Sequence, residues 1–321
     1  MSEHCYFISA GQLRAIVGDD TDHGGGRDEH SGVWFLTSIN DRHTAVSQGN
    51  GILLFGHHRG TRPSVRRLDD TSVELFKEAC VANNHVETRG TYRLVAPHYI
   101  DYEMTATALS GHRPQDRTSF SWCCYVNSPA EKGIHFIEKG LWTYYFNPVH
   151  GQGAMVFPTD LNAADREPWG QEPATAFLDG ERNFSHSDSG RTFDYPFYFG
   201  MIRGMMFQIM ADDYSGFRFF ISPSGAGQSL LPGQSSPAWD FAWETDGLRV
   251  DEPVTLDVRV VYKRPERTDA VPNGYAADHA WMEFQNFRET FPVRGIEGER
   301  NEGRRKNEEG RKTGKAWISR G

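Results

Sequence analysis

Apolar and polar residues alternate along much of this chain with the period of two that belongs to a half-buried β-strand. The clearest case is the stretch from 254 to 262. There Val254, Leu256, Val258, Val260 and Tyr262 alternate with Thr255, Asp257 and Arg259. One apolar face and one polar face mean a strand that covers a core on one side. The same reading gives strands at 5–8, 13–17, 33–36 and 52–55. Two long strands, His85–Leu94 and Tyr99–Ala108, follow, broken at Pro97, which cannot donate to a ladder. Thr118–Asn127 is a further strand that ends at the turn Ser128-Pro129, and 133–138 with 142–146 forms a hairpin around Lys139-Gly140. Residues 158–192 are polar and punctuated by Pro and Gly, which reads as a long loop. Strands resume at 193–199, 202–211, 216–221 and 239–245. Only Ala276–Arg288 has the pattern of a helix, and after Gly295 apolar residues nearly vanish.

Many strands at short spacing with little helix predict an all-β protein, a large antiparallel β-sandwich with one short helix near the C-terminus. The division expected is a single sandwich domain over 1–294 and a charged, disordered tail over 295–321. Composition fits this: 33 glycines and 16 prolines supply turns, and 13% aromatic residues supply bulk for a core in a chain of 321 residues.

Charge narrows the partners. The net charge of −9 argues against nucleic acid, whose phosphates need a concentrated basic surface. The one dense basic run, Arg304–Lys315, is mixed with Glu308 and Glu309 and reads as a solvated terminus. No stretch approaches 18 apolar residues, so no membrane span is expected. Residues 1–9 lack the apolar run of a secretory signal, and Cys5, Cys80, Cys123 and Cys124 read as reduced thiols. Adjacent Cys123 and Cys124 point to opposite faces of a strand and do not pair with each other. A cytoplasmic setting follows.

Candidate chemistry concentrates in a few places. In the segment 97–103, Tyr99, Asp101 and Glu103 share one strand face, and Ile100, Tyr102 and Met104 share the other with His98. Two carboxylates two residues apart suit acid/base work on a glycosidic bond. On the strand from 118 to 127, Ser119, Ser121, Cys123, Tyr125 and Asn127 form a polar face able to hydrogen-bond hydroxyls. The run Phe197–Met210 is almost wholly apolar and reads as central and buried on both faces, with Arg203 and Gln208 interrupting it. A buried guanidinium needs a carboxylate, from Asp194, Asp240 or Glu103, or an anionic ligand such as a uronate. Trp239 beside Asp240 sets an aromatic next to a carboxylate, and flat rings such as Trp142, Trp169 and Trp239 suit sugars. His57, His58, His135, His150 and His186 are scattered without metal-ligand spacing, so no metal and no cofactor is expected. His135 stands out because it falls on the polar face of its strand.

Three segments, Pro97-His98-Tyr99-Ile100-Asp101-Tyr102, Tyr125-Val126-Asn127-Ser128-Pro129 and Pro237-Ala238-Trp239-Asp240-Phe241, together with the long meander, resemble the β-sandwiches of the galactose-mutarotase-like superfamily and related polysaccharide-processing enzymes. The resemblance spans roughly residues 5–265. It implies a supersandwich-like fold, a carbohydrate ligand, and proton transfer on a sugar by a His with a carboxylate or a Tyr. Catalysis is then expected from His98, Asp101, Glu103 and His135. Substrate binding is expected from Tyr99, Tyr125, Asn127, Arg203, Trp239 and Asp240. Hydrolysis, epimerisation and β-elimination all remain open, as does a non-catalytic carbohydrate-binding or assembly module.

Overall fold

The computed structural model describes residues 3–19, 31–47, 50–55, 63–115, 117–127, 129–148, 153–162, 166, 187–223, 236–271 and 274–296. Strands are numbered in chain order. A nine-stranded sheet runs, from one edge to the other, β11 (Leu141–Tyr145), β10 (Ile134–Glu138), β14 (Phe197–Ile202), β15 (Met205–Ala211), β18 (Val254–Lys263), β8 (Tyr99–Ala108), β7 (Val86–Val95), β6 (Ser72–Lys77) and β5 (Ser64–Arg67). A six-stranded sheet faces it, in the order β13 (Asp188–Phe193), β12 (Met155–Pro158), β16 (Phe217–Ser222), β17 (Ala238–Asp246), β9 (Arg117–Cys123) and β4 (Leu54–Phe55). All its pairs are antiparallel except β12 with β13. A smaller sheet of β1 (Cys5–Ala10), β2 (Leu13–Gly18) and β3 (Gly32–Ser38) completes the fold. The architecture is the large all-β sandwich that the alternating pattern predicts.

The core lies between the two large sheets. Tyr92, Tyr102, Trp122, Phe219, Trp239 and Phe241 are among its bulkiest members. Polar tips inside it are satisfied: Trp122 Nε1 donates to Tyr102 Oη at 3.0 Å, and Tyr92 Oη donates to the Leu53 carbonyl at 2.9 Å. Trp239 is fully buried here and donates Nε1 to the Lys132 carbonyl at 2.8 Å. This corrects the expectation that Trp239 offers a ring face to a sugar. Its ring fills the space above Gly200, where a Cβ would fall 2.3 Å from the indole.

Among the described residues, the outer face of the nine-stranded sheet carries the helix α1 (Ala276–Thr290). Ala280, Phe284 and Phe287 pack on Phe197, Met206 and Met210. Sequence reading places this helix correctly. The apolar run Phe197–Met210 is buried on both faces because the core lies on one side and α1 on the other. It is not one strand, however: β14 turns at Arg203-Gly204 and returns as β15, and both turn residues have positive φ. Gln208, buried within it, donates to the Ala280 carbonyl at 2.9 Å. Two strands, β12 and β13, lie at the borders of the region read as loop. The charged tail beyond 296, and His57, His58, His150, His186 and Trp169, lie outside the described residues.

Candidate functional site

The sequence-predicted residues fall into four places. The first is the outer face of the nine-stranded sheet beside α1. Tyr99, Asp101 and Glu103 do share that face, as parity requires, while Ile100, Tyr102 and Met104 enter the core. His98 precedes the strand and does not follow its parity. It joins Tyr99 on one carboxylate that sequence reading missed, Glu283 of α1: Tyr99 Oη donates to Oε2 at 2.9 Å and His98 Nε2 lies 3.4 Å from Oε1. Lys263 Nζ also pairs with Glu283. Burial alone would raise the Glu283 pKa, but the His98 hydrogen bond and the Lys263 charge outweigh it and hold the carboxyl at about 2. Asp101 forms a two-pronged ion pair with Arg259, Nε to Oδ1 at 2.6 Å and Nη2 to Oδ2 at 2.8 Å. Glu103 is exposed and faces Asp257 across the ladder; burial, with the charges of Asp212 and Glu103, pushes Asp257 up to about 6. Asp101, His98 and Tyr99 are thus committed to clamping strands and helix together.

The second place is the end of the sandwich. Arg203 is not buried in a strand; from its turn it pairs with Asp41, Nε to Oδ2 at 3.0 Å. None of Asp194, Asp240 and Glu103 is its partner. Its Nη2 donates to the Thr44 carbonyl at 2.8 Å, and Asn127 Nδ2 donates to that same oxygen at 3.0 Å. Both side chains anchor the segment 41–47.

The third place is the flank of the nine-stranded sheet that α1 leaves open. His135 stacks on Phe199 with centroids 4.9 Å apart and tilts against Tyr144 at 5.0 Å. Trp142 meets Phe199 edge-on at 5.6 Å. Trp142 and Tyr144 are 39% and 46% exposed, so a partly open aromatic surface results. Burial lowers the His135 pKa against the opposing pull of Glu131, 3.6 Å away, so the ring is neutral at pH 7.

The fourth place is the outer face of the six-stranded sheet, where Phe220 and Ala242 pack with Ala154, Met155 and Phe157. Phe120, Trp122, Trp239, Phe241 and Trp243 point inward, so Ser119, Ser121 and Cys123 of β9 and Asp240, Ala242 and Glu244 of β17 point outward. Register sets Ser121 and Arg218 on either side of Ala242, Phe220 beside Asp240, and Tyr125 beside Ala238. An outward polar face is ordinarily wet. This one is shielded: Asp240 is 5%, Ser121 6% and Arg218 2% exposed. Asp240 Oδ1 accepts the backbone N–H of Cys124 at 2.6 Å. Burial pushes its carboxyl up to about 7, against the lowering effect of that N–H. Arg218 is held by the Ser215 and Phe217 carbonyls at 2.6 and 2.7 Å and by Glu244 at 3.4 Å, and burial lowers its pKa to about 10. Glu244 also pairs with Arg117 at 3.5 Å. The polar face of the strand 118–127 and the carboxylate beside Trp239, separate motifs in the sequence, are neighbours here. Among the described residues, no group of three or more His, Cys, Asp and Glu side chains comes together to hold a metal, and no helix is long and apolar enough to cross a membrane.

No protein-family model matches the chain, and no curated protein matches it. Solved structures similar to it include a candidate aldose 1-epimerase from Escherichia coli K12, at 10% identity and a TM-score of 0.46, covering 81% of this chain and 99% of that one. An aldose epimerase homologue from C. elegans matches at 10% identity and a TM-score of 0.43 over the same shares. A heparan sulfate lyase from Pedobacter heparinus matches at 6% identity and a TM-score of 0.42, covering 83% of this chain and 36% of that one. The likeness is one of sandwich architecture, and it assigns no residue of this chain a role.

Proposed function

We propose that this protein acts on carbohydrate, with the ligand on the polar outer face of the six-stranded sheet and Asp240 as the group that moves a proton. The observation that carries this reading is the Asp240 carboxyl, shielded from water and held at about 7 among hydroxyl and thiol side chains. A carboxyl with that affinity is part protonated and part ionised at neutral pH, so it can donate to a departing oxygen or accept from a carbon or hydroxyl. Hydrolysis, epimerisation and elimination each need such a group. Ser119, Ser121 and Tyr125 line the same face with groups that both donate and accept, which suits a hydroxyl-rich ligand. The test is a screen of neutral sugars, uronic acids and their oligomers for thermal stabilisation, followed by turnover of whatever binds. Asp240→Asn is expected to bind the sugar and to lose turnover by at least about a hundredfold, the usual worth of one general acid or base. Full turnover in that variant would remove Asp240 from the chemistry.

A second reading has its own observation. Trp142 and Tyr144 are partly exposed beside His135. Such a surface suits stacking on sugar rings without catalysis. Sugar binding that survives Asp240→Asn and Ser121→Ala but fails in Trp142→Ala would move the ligand to this flank and make the protein a binding module.

A further inference from the structure

A strand at the edge of a sheet offers unpaired N–H and C=O groups to another chain, and folded proteins blunt such edges with charge, brevity or a covering group. Three of the four edges of the two large sheets carry such a device. β5 has Arg66 and Arg67, which pair with Glu74 and Asp70. β4 is two residues long. On β13 the N–H groups of Gly190, Arg191 and Thr192 are taken by the side chains of Asp188, Ser189 and Glu138. The fourth edge, β11, reads Leu141-Trp142-Thr143-Tyr144-Tyr145. It has no charge, no proline and, among the described residues, no strand on its outer side. Leu141 is 71% exposed, and Trp142 and Tyr144 stand partly open beside it. Among the described residues no other strand carries more than one exposed large apolar side chain.

We infer that β11 is the contact by which two copies of this chain associate, pairing antiparallel with its own image about a two-fold axis through Thr143. The strand suits that pairing. With Thr143 on the axis, Trp142 lies opposite the partner's Tyr144, and Leu141 lies opposite the partner's Tyr145. Within one copy, β10 already sets His135 beside Tyr144 and Ile137 beside Trp142. The pairing extends that face into a row of His135, Tyr144, the partner's Trp142 and the partner's Ile137, together with its two-fold mate. Aromatic side chains directly opposite each other are favoured in antiparallel ladders. The charges at the two ends match as well. Lys139 is exposed in the turn before β11, at one end of the strand. Glu131 is exposed beside His135, near the other end. The two-fold axis brings each end to the opposite end of the partner, so Lys139 of one copy approaches the partner's Glu131. A stable interface buries about 800 Å² on each side, and a strand of five residues supplies less. The dimer is therefore weak and forms over the micromolar range. This inference is independent of the Asp240 site, which lies on the other sheet, and it competes with the second reading above, in which the same rings hold a sugar.

The experiment is sedimentation velocity of the full chain between about 1 and about 100 μM, since self-association follows mass action. Wild type is expected to pass from monomer toward dimer across that range. Thr143→Lys sets two like charges opposite each other at the axis and is expected to stay monomeric. Thr143→Glu alone should do the same. An equimolar mixture of the two variants is expected to dimerise again, because this position meets its own copy. Leu141→Lys changes a side chain that is 71% exposed, so it should fold as wild type does. It should weaken association at least about tenfold. Circular dichroism checks that each variant folds, and Leu141→Lys decides the matter if the Thr143 variants do not. A wild type that stays monomeric at every concentration overturns the inference. A dimer that survives both Thr143→Lys and Leu141→Lys also overturns it and places the contact elsewhere. A mixture that stays monomeric overturns the pairing about Thr143. A monomeric wild type whose sugar-induced thermal shift is lost in Trp142→Ala gives these rings to a carbohydrate instead of a second copy.

Discussion

One oxygen of the Asp240 carboxyl accepts the backbone N–H of Cys124 at 2.6 Å, across the β17–β9 junction. That bond fixes a titratable group in the sheet instead of letting it swing to water. It also lowers the pKa, so the rise to about 7 is the work of burial alone.

The consequence for stability has a definite direction. The folded state keeps the Asp240 proton up to about pH 7, whereas the unfolded chain gives it up near 3.8. Between those values the folded state binds more protons, so its stability falls as pH rises and levels off above 7. At about 1.4 kcal/mol for each tenfold difference in proton affinity, the loss is on the order of 4 kcal/mol. Asp240→Asn keeps an oxygen for Cys124 and has no proton to lose. Urea unfolding at pH 5 and pH 8 is expected to show the decline in wild type and a much flatter response in the variant. Equal slopes in both would mean that Asp240 ionises freely in the fold.

Glu283 behaves in the opposite sense. Its folded pKa, about 2, lies below the ordinary 4.5, so its contribution is complete above pH 4.5 and is lost as pH falls through 2. Glu283→Gln at neutral pH strands Lys263, which is 8% exposed, without its carboxylate. Breaking a buried pair this way costs about 3–5 kcal/mol. Glu283→Gln with Lys263→Met should recover most of that loss. A double variant no more stable than the single one would assign the cost to something other than the stranded charge.

The contrast between these two carboxyls shows what a sequence carries and what it hides. Periodicity locates β8, α1 and the first half of β18 because each buries one face, and a half-buried element writes its period into the chain. β13 escapes because Asp188–Phe193 has a single large apolar residue and pairs in parallel with β12. The Asp240 motif is visible as a carboxylate beside a tryptophan, but its neighbours Ser121 and Arg218 become neighbours only through register. Glu283 is separated from His98 by 185 residues and lies in a helix whose pattern says only that one side is apolar. Arg203 misleads for a physical reason: its neighbours are apolar, yet a positive φ of 49° at a hairpin turn throws its side chain outward.

Gly200 of β14 faces Trp239 of the opposite sheet at close range. A Cβ there would lie 2.3 Å from Trp239, so Gly200→Ala must displace a buried indole that is tied to the Lys132 carbonyl. Overpacking of this kind costs about 1–3 kcal/mol. Denaturant unfolding should show that loss in Gly200→Ala and a smaller loss when Trp239→Phe makes room. If Gly200→Ala is neutral alone, the close approach is not rigid.

Arg203 separates structure from ligand binding most cleanly. It shares the Thr44 carbonyl with Asn127 and pairs with Asp41, so its work is to hold the segment 41–47 against the end of β14. The pair is partly exposed, and its loss in Arg203→Ala is expected to cost only about 1 kcal/mol. Amide exchange should quicken at Val46 and Asn127, whose N–H groups bond Thr44 Oγ1 and the Ala45 carbonyl. The thermal shift produced by a bound sugar should be unchanged, because Arg203 lies away from the Asp240 face. A uronate shift present in wild type and lost in Arg203→Ala would place an anionic site at this end of the sandwich, and would mean that the Asp41 pair opens to admit it.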